Sequence, residues 1–265
     1  MSDKKISIIM GIYNCEKTLE EAINSILNQT YKNWKMIMCD DASNDKTYEI
    51  ANKYQVLYPE KFVLLKNSKN RGLNYTLNKC LKEVRGEYVA RMDADDISLP
   101  ERFEKQIEIL ESRKDIDIVS SSMIHFDENL EWLGVQMKEY PQKEDFIYGT
   151  PFCHAPSMMR SKAMLEVKGY SVGNKLLRVE DYHLWMKLYM KGFKGMNIQE
   201  PLYKMRDDNS AIKRRKFKYR INESYVKWLI FKNFNLELTK SLYILKPILV
   251  GILPRSIYRI LRKRS

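Results

Sequence analysis

The amino-acid sequence predicts an α/β protein with a Rossmann-like, mostly parallel central sheet flanked by helices. Short apolar runs alternate with segments of helical periodicity as far as residue 120, which indicates βαβ units. Two of the apolar runs end directly in clusters of aspartate. Because ligands of such sheets bind outside the carboxyl ends of the strands, these clusters indicate where a site should lie.

Apolar runs predict the strands of this first half, and the segments between them predict its helices. Residues 6–13 are nearly continuous in apolar side chains, as is typical of a strand buried on both faces. The next segment repeats apolar residues at helical spacing, with Leu19, Ile23 and Ile26 on one face. The predicted strands are residues 6–13, 34–39, 62–65, 87–91 and 116–120, and the predicted helices are residues 17–29, 45–57, 73–84 and 99–112.

The alternation of strands and helices is lost after residue 120. Residues 121–150 contain short alternating stretches, which predict an antiparallel hairpin or a loop insertion. The pattern then predicts helices at residues 161–167 and 181–190, and strands at residues 193–198 and 202–205. We therefore expect one domain over residues 1–206, divided into halves of about 1–120 and about 121–206.

Charge is distributed unevenly along the chain of 265 residues, whose formal net charge is +12. Residues 203–265 contain 17 Lys and Arg against 4 Asp and Glu, whereas residues 1–202 contain 29 against 30. The basic character therefore belongs to the C-terminal end, and residues 207–265 are expected to form a basic helical extension. A body whose net charge is near zero, joined to a basic end, favours contact with an anionic surface over nucleic-acid binding.

An apolar stretch at residues 242–253 lies within this extension and is interrupted by Lys246 and Pro247. It is shorter than the roughly 20 residues of a transmembrane helix. An amphipathic helix lying in the plane of a membrane surface, with basic side chains against anionic headgroups, fits the pattern. The alternative is a helical pair that packs on the domain and leaves its basic face in water.

Cysteine usage and the N-terminus both predict a cytoplasmic protein. The four cysteines, Cys15, Cys39, Cys80 and Cys153, are scattered without metal-site spacing and are expected to be reduced. The apolar run near the N-terminus is too short for a secretory signal. With the basic extension, the expected location is the cytoplasmic face of a membrane.

The sequence Asp93-Ala94-Asp95-Asp96 is the most direct indication of chemistry. Carboxylates crowded this closely repel one another, whereas Mg²⁺ or Mn²⁺ takes oxygen ligands and often holds substrate phosphates as well. The alternative is a solvated acidic turn, because short acidic motifs are common.

Two further segments lie between the first strands of the predicted sheet. In the cluster at residues 40–45, Asp41 is the expected ligand contact, whereas Asp45 is expected to cap the following helix. Gly72 precedes a predicted helix whose first amides would favour an anion, although a glycine in a loop often only makes a turn.

The second half of the domain offers a carboxylate pair and a histidine. Glu180 or Asp181 could act as a general base for an incoming hydroxyl, or both could simply complement the dipole of a helix N-terminus. His154 stands in a loop rich in Pro and could contact a phosphate or an acceptor, or serve only as a loop donor.

Taken together, these motifs resemble the family 2 glycosyltransferases of bacterial capsule, O-antigen and exopolysaccharide synthesis. The resemblance covers about residues 5–206, and its motifs stand in the order found in the family. The matching pieces are residues 8–14, residues 25–31, Asp40-Asp41-Ala42-Ser43, Asn70-Arg71-Gly72-Leu73, residues 86–96, Pro100-Glu101-Arg102 with Gln106, and Glu180-Asp181-Tyr182 with Leu184-Trp185.

This resemblance implies a GT-A fold, a UDP-sugar donor, Mn²⁺ or Mg²⁺, and inversion at the anomeric carbon by a single displacement. Residues 1–120 would then be the nucleotide-binding half, and residues 121–206 the acceptor half. Asp95, with Asp93, would ligate the metal, and Asp181 would be the base, with Glu180 positioning acceptor or base. The implied donor-binding residues are Gly11, Ile12, Tyr13, Asp41, Asn70, Gly72, Asp93 and Ala94.

One position departs from the pattern that the resemblance implies. Many relatives carry a histidine two residues after the Arg that corresponds to Arg206, and here that place is taken by Asp208. An aspartate could still ligate a metal there, but it could not neutralise a diphosphate.

The expected acceptor is a polyprenyl-diphosphate-linked saccharide, because a basic, apolar, non-spanning extension suits an acceptor at the inner membrane surface. No nucleic-acid partner is expected. The competing hypotheses are a nucleotidyltransferase and a non-catalytic module that binds membranes or polysaccharides. The first would usually show a basic, Gly-rich loop near its N-terminus, and the second would tolerate loss of Asp95 and Asp181.

Overall fold

The computed structural model describes residues 5–207 and 216–252, and their fold belongs to the predicted α/β class. The described strands are β1 (Ile6–Ile12), β2 (Trp34–Asp40), β3 (Phe62–Lys66), β4 (Tyr88–Arg91), β5 (Ile97–Ser98), β6 (Ile118–Phe126), β7 (Glu131–Leu133), β8 (Met158–Arg160) and β9 (Gly195–Arg206). The described α-helices are α1 (Leu19–Leu27), α2 (Thr47–Leu57), α3 (Leu73–Leu81), α4 (Arg102–Ser112), α5 (Ser161–Glu166), α6 (Glu180–Met190), α7 (Phe217–Asn233) and α8 (Lys246–Ile252). Short 3₁₀ helices lie at Lys143–Ile147, Asn174–Leu176 and Leu238–Ile244.

These strands form a single sheet in the order β3-β2-β1-β4-β8-β6-β9-β5, with β7 paired to β6. The first four strands of this order are parallel, as the alternation of strands and helices predicted. Asp40 at the end of β2 lies level with Ile12 at the end of β1. Because the carboxyl ends of parallel strands share one edge, the two aspartate clusters emerge on the same side of the sheet.

The second half of the sheet mixes parallel and antiparallel pairs. β8 runs antiparallel to both β4 and β6, and β9 runs parallel to β6. β6 and β7 form an antiparallel hairpin, which is one of the two structures predicted for residues 121–150. The antiparallel pairing of β5 with β9 brings the end of β9 beside the second aspartate cluster.

The end of this half differs from the sequence prediction, because β9 is one strand where two were expected. Residues 193–198 and 202–205 are joined through Pro201, which has no backbone N–H and pairs with Ser122 at an irregularity in the β6–β9 register. The bulge accommodates Pro201 without ending the strand, which therefore continues to Arg206.

Helix α4 also begins later than predicted, at Arg102 instead of residue 99. The backbone N–H of Leu99 donates to the carbonyl of Leu202, which extends the pairing of β5 with β9 by one residue. Pro100 follows, and a residue before proline is disfavoured in a helix. The sheet therefore takes a residue that the periodicity assigned to the helix.

Two hydrophobic clusters cover the two faces of the sheet. On β1, Ile6, Ile8 and Met10 face the cluster that α1, α2 and α4 complete, whereas Ile9 faces the cluster formed with α3 and α6. The continuous apolar sequence of this strand is explained by burial on both faces.

The C-terminal extension packs on the domain over its described residues. Val226 and Ile230 of α7 are fully buried in the second cluster. The ammonium group of Lys227, on the same helix, donates hydrogen bonds to the carbonyl oxygens of Ile147 (2.7 Å) and Tyr148 (3.1 Å). Helix α7 is therefore part of the folded core. Among the described residues, no helix combines the length and apolar character needed to cross a membrane.

Candidate active site

A cavity of about 560 Å³ lies at the edge where the parallel strands end. Residues from the loops that follow β1, β2, β3 and β4 form most of its wall. Those predicted from the sequence are Gly11, Ile12, Tyr13, Asp41, Asn70, Gly72, Asp93, Ala94 and Asp95. The parallel topology therefore brings the whole predicted donor site together.

Asp41 organises one wall of this cavity through three hydrogen bonds. Its carboxylate accepts from the amide group of Asn67 and from the backbone N–H groups of Arg71 and Gly72, each at 2.8 Å. Gly72 adopts a φ of 84°, a left-handed conformation that glycine takes without strain. The N–H of Gly72, which directly precedes the helix amides expected to favour an anion, is thus used by a protein carboxylate.

A second wall carries the three aspartates of the sequence 93–96. Ligand oxygens of Asp93, Asp95 and Asp96 lie within 4.8 Å of one another. An all-carboxylate donor set of this size fits a hard divalent cation such as Mg²⁺ or Mn²⁺. Asp96 is 2% exposed and accepts a hydrogen bond from the N–H of Arg206 at 2.9 Å, and burial with the neighbouring aspartates raises its pKa well above the usual range. Asp93 and Asp95 are the more accessible ligands.

Arg91 lies behind this wall with its side chain 3% exposed. Its guanidinium pairs with Asp93 at 2.5 Å. Burial alone would lower the pKa of Arg91, but the charge and hydrogen bond of Asp93, together with Tyr170 and Tyr203, outweigh burial and raise it, so the group stays charged. The positive charge of Arg91 lowers the pKa of His154, which opposes protonation of the ring. The same charge lowers the pKa of Glu180 and Asp181, which favours their carboxylate forms.

Glu180 and Asp181 are the first two residues of α6, which begins one residue before the predicted helix at residues 181–190. Burial and the adjacent Glu180 raise the pKa of Asp181 to about 7, against the opposing effects of backbone hydrogen bonds and Arg91. Burial also raises the pKa of Glu180. Neither residue belongs to the cavity wall, but Arg178, just before them, does. A carboxyl group that titrates near neutral pH is suited to accept a proton from a hydroxyl.

The sequence left two roles open for His154, contact with an acceptor or a phosphate, and a hydrogen-bond donor within its loop. Its Nε2 is 2.7 Å from the hydroxyl of Tyr170, so this nitrogen already has a partner. Burial, together with the charge of Arg91, lowers the pKa of His154 well below the usual range and keeps the ring uncharged. His154 is not among the cavity-lining residues. Asp208, the other position in question, lies outside the described residues.

Comparison with known proteins identifies the family. A model of the family described as glycosyl transferase family 2 matches residues 7–169. The chain belongs to glycosyl transferase family 2. Its sequence is 42% identical over 260 residues to EpsE of Bacillus subtilis, which is named as a glycosyltransferase, and the match covers 97% of this chain and 92% of EpsE.

A second relative and a solved structure extend the comparison. The sequence is 31% identical over 269 residues to an Escherichia coli UDP-Gal:α-D-GlcNAc-diphosphoundecaprenol β-1,3-galactosyltransferase, covering 97% of this chain and 95% of that protein. S. aureus TarS 1–349, solved in complex with UDP-GlcNAc, superimposes with a TM-score of 0.73 at 19% identity, over 93% of this chain and 72% of TarS. The fold is therefore GT-A, as the resemblance implied.

Two arginines of this family 2 glycosyltransferase line the cavity but were missed in the sequence. Arg206 ends β9; its Nε donates to the carbonyl oxygen of Asp95 at 3.0 Å, and its Nη2 pairs with Glu21 at 2.5 Å. Arg178 lies in the loop before α6. Arg206 belongs to the stretch that the resemblance covers, which could have suggested it, whereas Arg178 has no local signal.

Backbone strain is concentrated around the cavity. Among the described residues, five non-glycine residues have positive φ angles, and two of them, Asn14 (47°) and Arg178 (67°), line the cavity. A third, Ala42 (61°), follows Asp41 directly. Such conformations cost on the order of 1 kcal/mol or more each and often occur at functional sites.

Proposed function

We propose that this glycosyltransferase moves a sugar from a UDP-sugar to a hydroxyl of a polyprenyl-diphosphate-linked saccharide during cell-surface polysaccharide synthesis. The observation that carries the proposal is the cavity at the ends of the parallel strands, whose wall contains a carboxylate cluster and Arg178, three residues before Asp181. The relative that uses UDP-Gal and a diphosphoundecaprenol-linked acceptor supports the choice of donor and acceptor class.

The uridine would lie between the first two loops of the cavity. Tyr13 is 46% exposed at the cavity wall, so its ring offers a face on which a base can stack. Gly11 and Ile12 provide backbone close to the same wall. Asp41 accepts one hydrogen bond on Oδ2, from Gly72, so this oxygen can accept a second one from the N3–H of uracil.

Asp95, with Asp93, would hold a divalent cation at the diphosphate. A bound Mn²⁺ or Mg²⁺ supplies positive charge that stabilises the departing nucleoside diphosphate. Arg91 keeps Asp93 in place from behind, which leaves the other oxygen of this carboxylate for the ribose or the cation.

The transfer itself would be a single displacement that inverts the anomeric carbon. The acceptor oxygen forms a bond to the anomeric carbon while the bond from that carbon to the β-phosphate oxygen of UDP breaks. The hydroxyl proton passes to a carboxylate oxygen of Asp181. Glu180 raises the proton affinity of Asp181 and so makes it a stronger base than an isolated aspartate.

The C-terminal segment offers a surface for an acceptor embedded in lipid. Residues 238–252 contain no acidic residue. Five apolar side chains of this segment are more than half exposed, with fractions from 53% to 79%: Leu238, Leu242, Leu245, Leu249 and Ile252. Lys246 lies among them. We therefore propose that this face contacts the anionic, cytoplasmic surface of the membrane; residues 253–265, part of the predicted extension, lie outside the described residues.

Calorimetric titration with UDP, with and without Mn²⁺, tests the donor site, with GDP and ADP as controls. We expect uridine-selective binding that strengthens with Mn²⁺, and then transfer from a UDP-sugar to a lipid-linked GlcNAc-diphosphate acceptor. Binding without preference among the three nucleotides would contradict the proposed donor.

Co-sedimentation with vesicles tests the membrane contact separately. The double variant Leu242→Glu with Leu249→Glu should lose binding to vesicles that contain anionic lipid, while UDP binding is retained. Unchanged vesicle binding would show that this face is not the contact.

A further inference from the structure

Arg178 combines three features, of which Lys17, another basic residue of the cavity wall, shares only the first two. Its residue lines the cavity, its side chain is exposed, and its backbone is held at a φ of 67°. Within residues 5–207 and 216–252, its guanidinium takes part in no hydrogen bond or ion pair. The backbone of Arg178 hydrogen-bonds to Glu180, so this strained residue joins the start of α6 to a guanidinium at the cavity.

We propose that Arg178 binds the diphosphate of the donor and of the departing UDP. This inference rests on the proposed function, since it assumes that the cavity takes a nucleoside diphosphate sugar. The planar guanidinium can donate two parallel hydrogen bonds to phosphate oxygens, which gives both charge and orientation.

Comparison with Arg206 explains why Arg178 is the better candidate. Arg206 lies at the same cavity, but its Nε and Nη2 are used by the Asp95 carbonyl and by Glu21. It therefore holds the loop that carries the carboxylate cluster, and its charge is partly balanced by Glu21. Among the described residues, the guanidinium of Arg178 makes no such contact; only its backbone is hydrogen-bonded to Glu180.

The position of Arg178 also connects the phosphates with the base. It lies two residues before Glu180, and its charge favours the ionised form of that carboxylate. An arginine that binds the diphosphate at this point would hold the start of α6, and hence Asp181, against the bound donor.

The test compares the affinities for UDP, uridine and inorganic pyrophosphate in the presence of Mn²⁺. Arg178→Gln should weaken binding of UDP and pyrophosphate by about 10-fold to 100-fold, as expected when a hydrogen bond between charged groups is lost. Binding of uridine should be unchanged, and Arg178→Lys should have an intermediate affinity for UDP, because it keeps the charge but not the paired donors.

Lys175 provides a matched control. It lies three residues earlier in the same loop, does not line the cavity, and places its ammonium 5.1 Å from the ring centroid of Tyr225. Lys175→Gln removes one positive charge from the loop and should leave the affinity for UDP unchanged. An equal loss in both Gln variants would assign the effect to general charge and overturn the proposal.

Arg178→Gly separates the side chain from the strained backbone. Glycine adopts this φ readily, so the variant should unfold at the same or a higher temperature than the wild type and still lose affinity for UDP. Wild-type affinity for UDP in this variant, or a parallel loss of uridine binding in Arg178→Gln, would overturn the proposal. If the wild-type protein binds pyrophosphate but not UDP, the proposed donor is contradicted, and the role of Arg178 is then tested by the affinity of its variants for pyrophosphate. If the wild-type protein binds neither, both the proposed donor and the role of Arg178 are overturned.

Discussion

Asp41 and Asp181 are two aspartates of the candidate active site, and their surroundings are opposite. Asp41 is 4% exposed, and three N–H donors surround its carboxylate. Asp181 is enclosed beside Glu180, and burial and repulsion raise its pKa to about 7. The difference shows that local donors, and not burial alone, decide whether a buried carboxylate holds structure or accepts protons.

The largest effect is expected when the proton acceptor is removed. Asp181→Asn should lower kcat by about 10³-fold, within the range of general-base contributions, because an amide cannot take the hydroxyl proton. The affinity for UDP should be nearly unchanged, as measured by calorimetry. Glu180→Gln is the matched control and should retain more activity; loss of UDP binding in Asp181→Asn would reassign the residue to the donor site.

The pH dependence of the rate sharpens the same contrast. Asp181 must be ionised to act as a base, so kcat should rise with pH and level off above about pH 7. At pH 5, two units below this pKa, the rate should be about 100-fold below its maximum. A profile that stays level down to pH 5 would contradict the assignment of Asp181 as the base.

The free energy of unfolding should fall as the pH rises, whereas kcat should increase. The pKa of Asp181 is about 7 in the folded protein and about 3.9 in an unfolded chain, so the folded state binds the proton more tightly between these values. The contribution of this group to the free energy of unfolding is present at low pH and is lost as the pH rises through 7. Asp181→Asn should therefore unfold at a higher temperature than the wild type at pH 8, measured by calorimetry.

The edge of the parallel sheet was predictable from the sequence, but the contacts made there were not. Apolar runs followed by aspartates placed Asp41 and Asp93 at one cavity, since the topology of parallel strands is regular. The hydrogen bonds of Asp41 to Arg71 and Gly72, and that of His154 to Tyr170, depend on loops that no short-range pattern describes.

The C-terminal extension shows a second limit of sequence reasoning. The pattern of basic and apolar residues does not distinguish a helix that faces lipid from one that faces the core. Helix α7 buries Val226 and Ile230 in the domain, whereas Leu242 and Leu249 remain exposed further along. Only the tertiary contacts separate these two apolar sets.

Removal of the Asp41 charge should have a smaller effect than removal of the base. Asp41→Asn leaves a side chain of similar size, but its NH₂ group replaces one of the two oxygens that accept from the N–H groups of Arg71 and Gly72, so one of these hydrogen bonds is lost. A loss of about 1–3 kcal/mol in the free energy of unfolding is expected, with weaker UDP binding. Asp45→Asn is the control, because Asp45 also accepts two backbone N–H groups, of Glu16 and Thr47, but is only partly buried and should change stability less. An equal loss of stability in both variants would show that Asp41 has no special role.

The smallest expected effect concerns Arg91, whose charge moderates the pKa of the Glu180–Asp181 pair. Arg91→Gln should move the rising limb of the pH–rate profile upward by about one unit or less, because the ionised carboxylates lose a nearby cation. Arg102 is the matched control. It is also buried, and it donates to the carbonyl oxygen of Arg91. Its charge, however, interacts with Arg91, Tyr203 and Asp96. Arg102→Gln should lower stability without moving the limb. If both variants shift the limb equally, the pKa of Asp181 depends on the packing of the domain and not on the charge of Arg91.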